Sequence, residues 1–106
     1  MRAVLLGGAV LAVLPLLPAP AAAGSAVHTV VIDTMRFGPL PANLRSGDVV
    51  LWVNKDLFRH SATARDGSFN LDLPPGTSGR TIVKRKGSIP FFCRYHPGMK
   101  GVLVSR

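Results

Sequence analysis

A cysteine, a histidine and a methionine stand three residues apart in Cys93-Arg94-Tyr95-His96-Pro97-Gly98-Met99, and the chain has no second cysteine. That spacing constrains the backbone strongly. Pro97-Gly98 suits the central pair of a type II turn, because proline presets φ at the first position and glycine accepts positive φ at the second. Such a turn brings the Cα atoms of His96 and Met99 within about 7 Å. Upstream, Ile89-Pro90-Phe91-Phe92-Cys93 reads as an apolar strand that delivers its last side chain to the loop. One short loop thus presents three side chains to one point. A fold that uses them with a second imidazole must bring His60 from another loop at the same end.

Taken singly, a buried cysteine behaves as a small hydrophobe and a methionine as core filler. Taken together, His60, Cys93, His96 and Met99 form a distinctive donor set. Two imidazoles and a thiolate in a trigonal arrangement, with a weak axial thioether, is the ligand set of a blue-copper electron-transfer site. Structural zinc normally takes four Cys or His ligands, and a methionine adds little to it.

Residues 1–23 read as a secretory signal peptide. Arg2 gives the positive start, Ala3 to Leu17 the apolar stretch, and Ala21-Ala22-Ala23 a small-residue cleavage site. The apolar run falls short of the roughly 20 residues a bilayer needs, and Pro15, Pro18 and Pro20 interrupt its end. No stable membrane span is expected. Cleavage after Ala23 leaves residues 24–106 as one domain, near the size at which a hydrophobic core alone is marginal. Export to a periplasmic or extracellular space sharpens the reading of Cys93. A single cysteine cannot form an internal disulfide there, and metal ligation fits best. It also stabilises a small fold, because a metal bound only by the native state adds to stability.

Without Arg2 the chain keeps twelve Lys and Arg against five Asp and no Glu. This formal charge of +7 keeps a small exported protein soluble and steers acidic partners toward it. Nucleic acid is a poor candidate. The basic residues are scattered, apart from Lys84-Arg85-Lys86, and are not interleaved with aromatics.

No segment reads as a convincing helix. Short strands punctuated by Gly, Pro, Asp and Asn predict an all-β sandwich. Strands are expected at 27–33, 43–45, 49–54, 61–65, 80–84, 89–95 and 100–104, with turns at Ser46-Gly47-Asp48, Asp66-Gly67 and Lys86-Gly87. Phe37–Pro41 and Phe69–Gly79 are expected as irregular loops. Val49-Val50-Leu51-Trp52-Val53-Asn54 is apolar on both faces and is expected to be covered on both. In the 89–95 strand the two-residue period puts Ile89, Phe91, Cys93 and Tyr95 on the buried side.

Gly47-Asp48-Val49-Val50-Leu51-Trp52-Val53-Asn54, then His60, then Cys93-x-x-His96-Pro97-x-Met99-Lys100-Gly101 resembles the plastocyanin and amicyanin branch of the cupredoxins. The short Cys-x-x-His-x-x-Met loop is most similar to amicyanin. The resemblance implies a Greek-key β-sandwich of seven to eight strands with one type I copper near one end. It maps His60, Cys93, His96 and Met99 onto the four ligand positions. It implies one-electron shuttling between Cu(I) and Cu(II) without bond-making chemistry. The basic charge makes the expected redox partner proteins acidic at their docking face, a monomer is expected, and no enzyme is expected because no nucleophile–base pair or carboxylate pair is evident. Two residues depart from the family pattern. Arg59 stands where proline is frequent, and its charge is expected to favour Cu(I) and raise the potential. Ser61 stands where asparagine is common, and it still offers a backbone N–H and a hydroxyl. A further N–H toward the Cys93 sulfur is expected from Tyr95, and an apolar patch from Pro97, Gly98, Leu40 and Pro41 is expected around His96.

Three other readings compete. The same ligands serve a periplasmic copper carrier or storage protein, although such proteins more often use exposed Met/His-rich segments that this chain lacks. A plain structural or binding sandwich without metal would use Cys93 only for packing. If the leader were cut after Ser25, Ala26-Val27-His28 would begin the chain and offer a square-planar Cu(II) site; otherwise His28 is an ordinary strand residue.

Overall fold

The structure, a computed structural model, describes residues 7–15 and 25–106. Arg2 and Ala21-Ala22-Ala23, the two ends of the expected leader, lie outside the described residues. No helix among the described residues is long and apolar enough to cross a membrane.

Eight strands form two four-stranded sheets: β1 (Val27–Asp33), β2 (Arg36–Phe37), β3 (Val49–Asn54), β4 (His60–Ala64), β5 (Asn70–Leu73), β6 (Ser78–Ile82), β7 (Gly87–Phe92) and β8 (Lys100–Ser105). One sheet has the order β2-β1-β3-β6 and the other β5-β4-β7-β8. β1 and β3 run parallel over Val27↔Val49 to Ile32↔Asn54, so β1 cannot reach β3 by a hairpin. The chain changes sheet between β3 and β4, between β5 and β6, and between β6 and β7. The expected all-β sandwich is what forms.

Side chains alternate inward along β3, where Val50, Trp52 and Asn54 are buried. They pack with Val30, Ile32, Leu73, Phe91 and Leu103 of neighbouring strands. Trp52 centres an aromatic cluster, with Phe91 at 5.1 Å and Phe37 at 5.9 Å, both edge-on. Its indole N–H donates to Thr81 Oγ1 at 2.9 Å, as a buried indole requires. Truncating Phe91 to alanine in such a core costs about 3–5 kcal/mol. At the start of β8, Gly101 is required by that ring: a Cβ there would lie 2.6 Å from Phe91 Cζ.

Several expectations are corrected. β3 is central within its sheet, but its outer residues Val49, Leu51 and Val53 are only half-buried, because no further layer covers that face. The Phe69–Gly79 segment is not irregular throughout; Asn70–Leu73 forms β5 by pairing with β4 from His60↔Leu73 to Thr63↔Asn70. The expected 43–45 strand reduces to a single bridge, Leu44 to Ser105. Residues Arg36–Phe37, expected in part as loop, pair with β1 through a two-residue turn. That turn places Thr34 at φ 48° and Met35 at φ 62°. Such turns prefer Asn-Gly, and a β-branched residue there costs on the order of 1 kcal/mol or more. β7 ends at Phe92, so the buried alternation keeps Ile89, Phe91 and Cys93 while Tyr95 turns outward and is exposed.

Candidate metal centre

β3 ends in Asn54, wholly buried, and this residue shapes the loop that leads to the first candidate ligand. Its amide donates to the carbonyls of Phe58 and Leu73, both at 2.8 Å. Its Oδ1 accepts from the Asp56 N–H at 2.9 Å. All three contacts are short, so the 55–59 loop folds back on a satisfied buried amide. The loop then hands the chain to β4, whose first residue is His60.

From the other side, β7 delivers Cys93 and the 93–99 loop closes on itself. The Cys93 N–H donates to the Met99 carbonyl at 2.9 Å, and the Met99 N–H to the His96 carbonyl at 3.0 Å. Gly98 has φ 97°, as the expected turn at Pro97-Gly98 demands. The loop side chains thus converge for the reason read in their spacing.

His60, Cys93 and His96 come together, each with one donor atom within 4.8 Å of the others. His60 Nδ1 lies 3.8 Å from Cys93 Sγ, and the two imidazole centroids are 4.8 Å apart. His60 and Cys93 are buried and His96 is half-buried. Met99 is buried in the same loop. Both rings are tied from behind. The His60 Nε2–H donates to Asp56 Oδ2 at 2.9 Å, and the His96 Nε2–H to the Arg59 carbonyl at 2.9 Å. Hydrogen bonds at Nε2 assign the proton there and leave Nδ1 as the basic nitrogen of each ring. Two imidazole nitrogens and a buried sulfur fit a soft, nitrogen-tolerant ion such as copper.

The sulfur receives its hydrogen bond from the Ser61 N–H at 3.4 Å. The expected donor was Tyr95, but that residue lies beyond the end of β7 with its hydroxyl donating to Asp72 at 2.9 Å. Ser61 does more than replace an asparagine. Its hydroxyl accepts from the Arg94 N–H at 2.8 Å, which pins the ligand loop to β4.

The Arg59 side chain is engaged by Asp72 and Tyr95. Its guanidinium lies 3.7 Å from Asp72 and 6.0 Å from the Tyr95 ring centroid, both near the surface. The charge expected to favour Cu(I) is therefore partly answered by a carboxylate and screened by water. Two features were not read from the sequence. Asp56, four residues before His60, is one; the polar end of an apolar strand, Asn54, is the other. The apolar surface beside His96 is only in part the one expected: Pro97 and Gly98 are exposed in the loop, but other residues complete it. Phe58 stands edge-on to His96 at 6.3 Å, with Leu57 and Phe58 both exposed. Leu40 packs instead on the core and near Gly101.

Asp56 is held below its ordinary carboxylate range, first by its bond to His60 and then by the Met35 N–H. Asp48, near the start of β3, is lowered in the same way by His28 and the Arg45 N–H.

Comparison with known proteins bears on the fold that carries this group. No protein-family model matches the sequence, and no curated protein sequence matches it. Solved structures do. A purple cupredoxin from Nitrosopumilus maritimus matches at TM-score 0.65 and 20% identity, over 74% of this chain and 99% of that one. The reduced state of an amicyanin variant matches at TM-score 0.65 and 22% identity, over 78% and 83%. A Cu-containing nitrite reductase from Thermus scotoductus SA-01 matches at TM-score 0.64 and 27% identity, over 74% of this chain but 22% of that one. The chain has a cupredoxin fold. At one end it carries a His/Cys/His group with the donor chemistry of a type I copper site.

Proposed function

We propose that residues 24–106 form an exported blue-copper protein that passes single electrons between redox partners. The observation that carries the reading is the convergence of a buried cysteine sulfur and two imidazoles, each ring fixed from behind by a hydrogen bond. Cu(I) and Cu(II) prefer different geometries, and a site with little freedom to reorganise exchanges electrons with less cost. Copper would be held by His60 Nδ1, Cys93 Sγ and His96 Nδ1, with Met99 as the weak axial ligand. When bound, it supplies one reversible redox couple. The likeness to the nitrite reductase covers about a fifth of that enzyme and supports the domain fold, not its reaction. Burial of Cys93 and His60 favours electron transfer over copper carriage, since a carrier must release its ion to a partner that approaches the ligands.

The partner is an acidic redox protein that docks on the His96 end. Leu57, Phe58 and Pro97 are exposed there, with Arg94 and Lys100 exposed on the same loop and the strand after it. The domain works as a monomer outside the cytoplasm, after cleavage behind Ala23. Intact mass of the secreted protein, starting at Gly24, checks the cleavage.

Adding Cu(II) to the purified protein tests the central reading. One equivalent should produce an intense visible thiolate-to-metal band and a reversible one-electron couple. A colourless complex at one equivalent overturns it. Tight Cu(I) uptake with ready loss to a chelator, and no reversible couple, would make the chain a carrier.

A further inference from the structure

We infer that Asp56 is the residue that positions His60 and sets the electronic character of its ring. The inference rests on the copper-site reading of His60, but two of its consequences are visible without metal.

His60 is completely buried, and its Nε2 meets one partner, Asp56 Oδ2, at 2.9 Å. Asp56 is itself constrained. Oδ2 also accepts the Met35 N–H at 2.8 Å, and Oδ1 accepts the Leu57 N–H at 2.8 Å. The backbone N–H of Asp56 is held by Asn54. Both carboxylate oxygens and the backbone are thus fixed by three different segments: the β1–β2 turn, the end of β3 and the loop before β4.

The Met35 contact is costly to make. It comes from a turn whose two central residues, Thr34 and Met35, both have positive φ without being glycine. Strain of this kind persists where surrounding structure holds it, and it clusters at functional sites. Here the left-handed Met35 aims its N–H at the carboxylate that holds a candidate ligand.

The chemical consequence has a sign. A carboxylate accepting from the distal N–H of a ligating imidazole fixes the tautomer, orients the ring and raises the basicity of the other nitrogen. A more basic Nδ1 stabilises the more highly charged Cu(II). Asp56 therefore lowers the potential, opposite in sign to the effect expected of Arg59. It acts on the ring directly, whereas Arg59 is surface-screened and paired.

Asp56→Asn and Asp56→Ala separate charge from hydrogen bonding. Asn keeps an oxygen acceptor and Ala removes it. In the copper-free protein, nitrogen NMR of the His60 ring should show the proton on Nε2 in the natural chain and in Asp56→Asn. In Asp56→Ala a mixture of tautomers should appear. With copper, loss of such a partner costs about 10- to 100-fold in affinity. Cu(II) binding should weaken more than Cu(I) binding, raising the potential by about 59 mV for each tenfold difference. Asp56→Glu, which restores the charge, should recover part of the shift. An unchanged potential in Asp56→Asn, or an unchanged tautomer in Asp56→Ala, overturns the inference. If Asp56→Ala does not fold, the Asn and Glu pair still decides the sign. Failure of the copper reading itself looks different: the natural chain would give no visible band, while the metal-free tautomer result would stand.

Discussion

At each end of β3 a histidine donates its Nε2–H to an aspartate that backbone N–H groups also hold. His28 meets Asp48 at 2.8 Å, and Asp48 takes the N–H groups of Ala26 and Arg45. His60 meets Asp56 at 2.9 Å, and Asp56 takes those of Met35 and Leu57. Six residues of strand, roughly 20 Å at about 3.4 Å each, separate the two ends. The pairs differ in what faces the other ring nitrogen. His60 Nδ1 lies 3.8 Å from the Cys93 sulfur, in one group with a second imidazole. The His28 side chain is 20% exposed where that of His60 is 0%, and His28 belongs to no comparable donor group among the described residues. A His–Asp pair is thus a way of anchoring a strand end. It becomes a candidate metal centre only where the topology adds further donors.

The largest effect that sharpens this contrast comes from Cys93→Ser. The visible band should vanish, leaving a weaker His-based copper site, while His28→Ala should leave the band intact. Loss of the band in both variants would mean that the far end matters to the centre. A band that survives Cys93→Ser would remove the thiolate from the account.

Next in size are variants of Met99, which lies in the same closed loop but donates weakly. Met99→Gln offers a harder oxygen that favours Cu(II), so the potential should fall. Met99→Leu offers no donor, so it should rise. Copper should stay bound in both, as measured by metal content after dialysis. Loss of copper from both would make Met99 a structural ligand.

The 93–99 loop was legible in the sequence because its chemistry and its turn are local: Pro97-Gly98 dictates the backbone, and the residue types dictate the donors. The sandwich was legible from strand punctuation. What escaped depends on contacts made across the fold. Asp56 sits in a polar loop, and only the return of that loop onto Asn54 aims it at His60. The sulfur's donor depends on where β7 stops, and that end point lies within the usual uncertainty of a strand boundary read from alternation. β5 was hidden by the prolines and glycine that follow it, and it forms by pairing with β4. The outer face of β3 shows the limit of composition, for apolar residues on both faces of a strand do not supply a layer to cover the second.

A smaller effect concerns docking. Arg94→Glu or Lys100→Glu, beside the ligand loop, should slow electron transfer to an acidic partner roughly tenfold at low salt. Lys84→Glu should do much less, because Lys84 precedes β7 and the strand runs from there toward Cys93. Raising ionic strength from 0.01 to 0.1 M shortens the Debye length from about 30 to about 10 Å, so the difference should shrink. Equal losses at both places would leave net charge as the only factor. Stopped-flow rates across a salt series measure this.

The smallest effect belongs to the far pair and concerns stability alone. Asp48 is lowered from an ordinary value near 3.8, chiefly by its bond to His28. A carboxylate with a depressed folded pKa stabilises the fold above its ordinary value and loses that contribution as pH falls through the depressed one. Asp48→Asn should therefore reduce the melting temperature at pH 7. The effect should shrink as pH falls through that depressed value, because the natural side chain takes up its proton too. The acid limb will not vanish in the variant. Asp66 is held to about 2 by Ser68 and Arg85 and loses its own contribution as pH falls through that value. The visible band at pH 7 should be unchanged, which separates the far aspartate from Asp56. Destabilisation that stays constant as pH is lowered, measured by thermal melts of the metal-free protein, would show that Asp48 acts through packing and not through its charge.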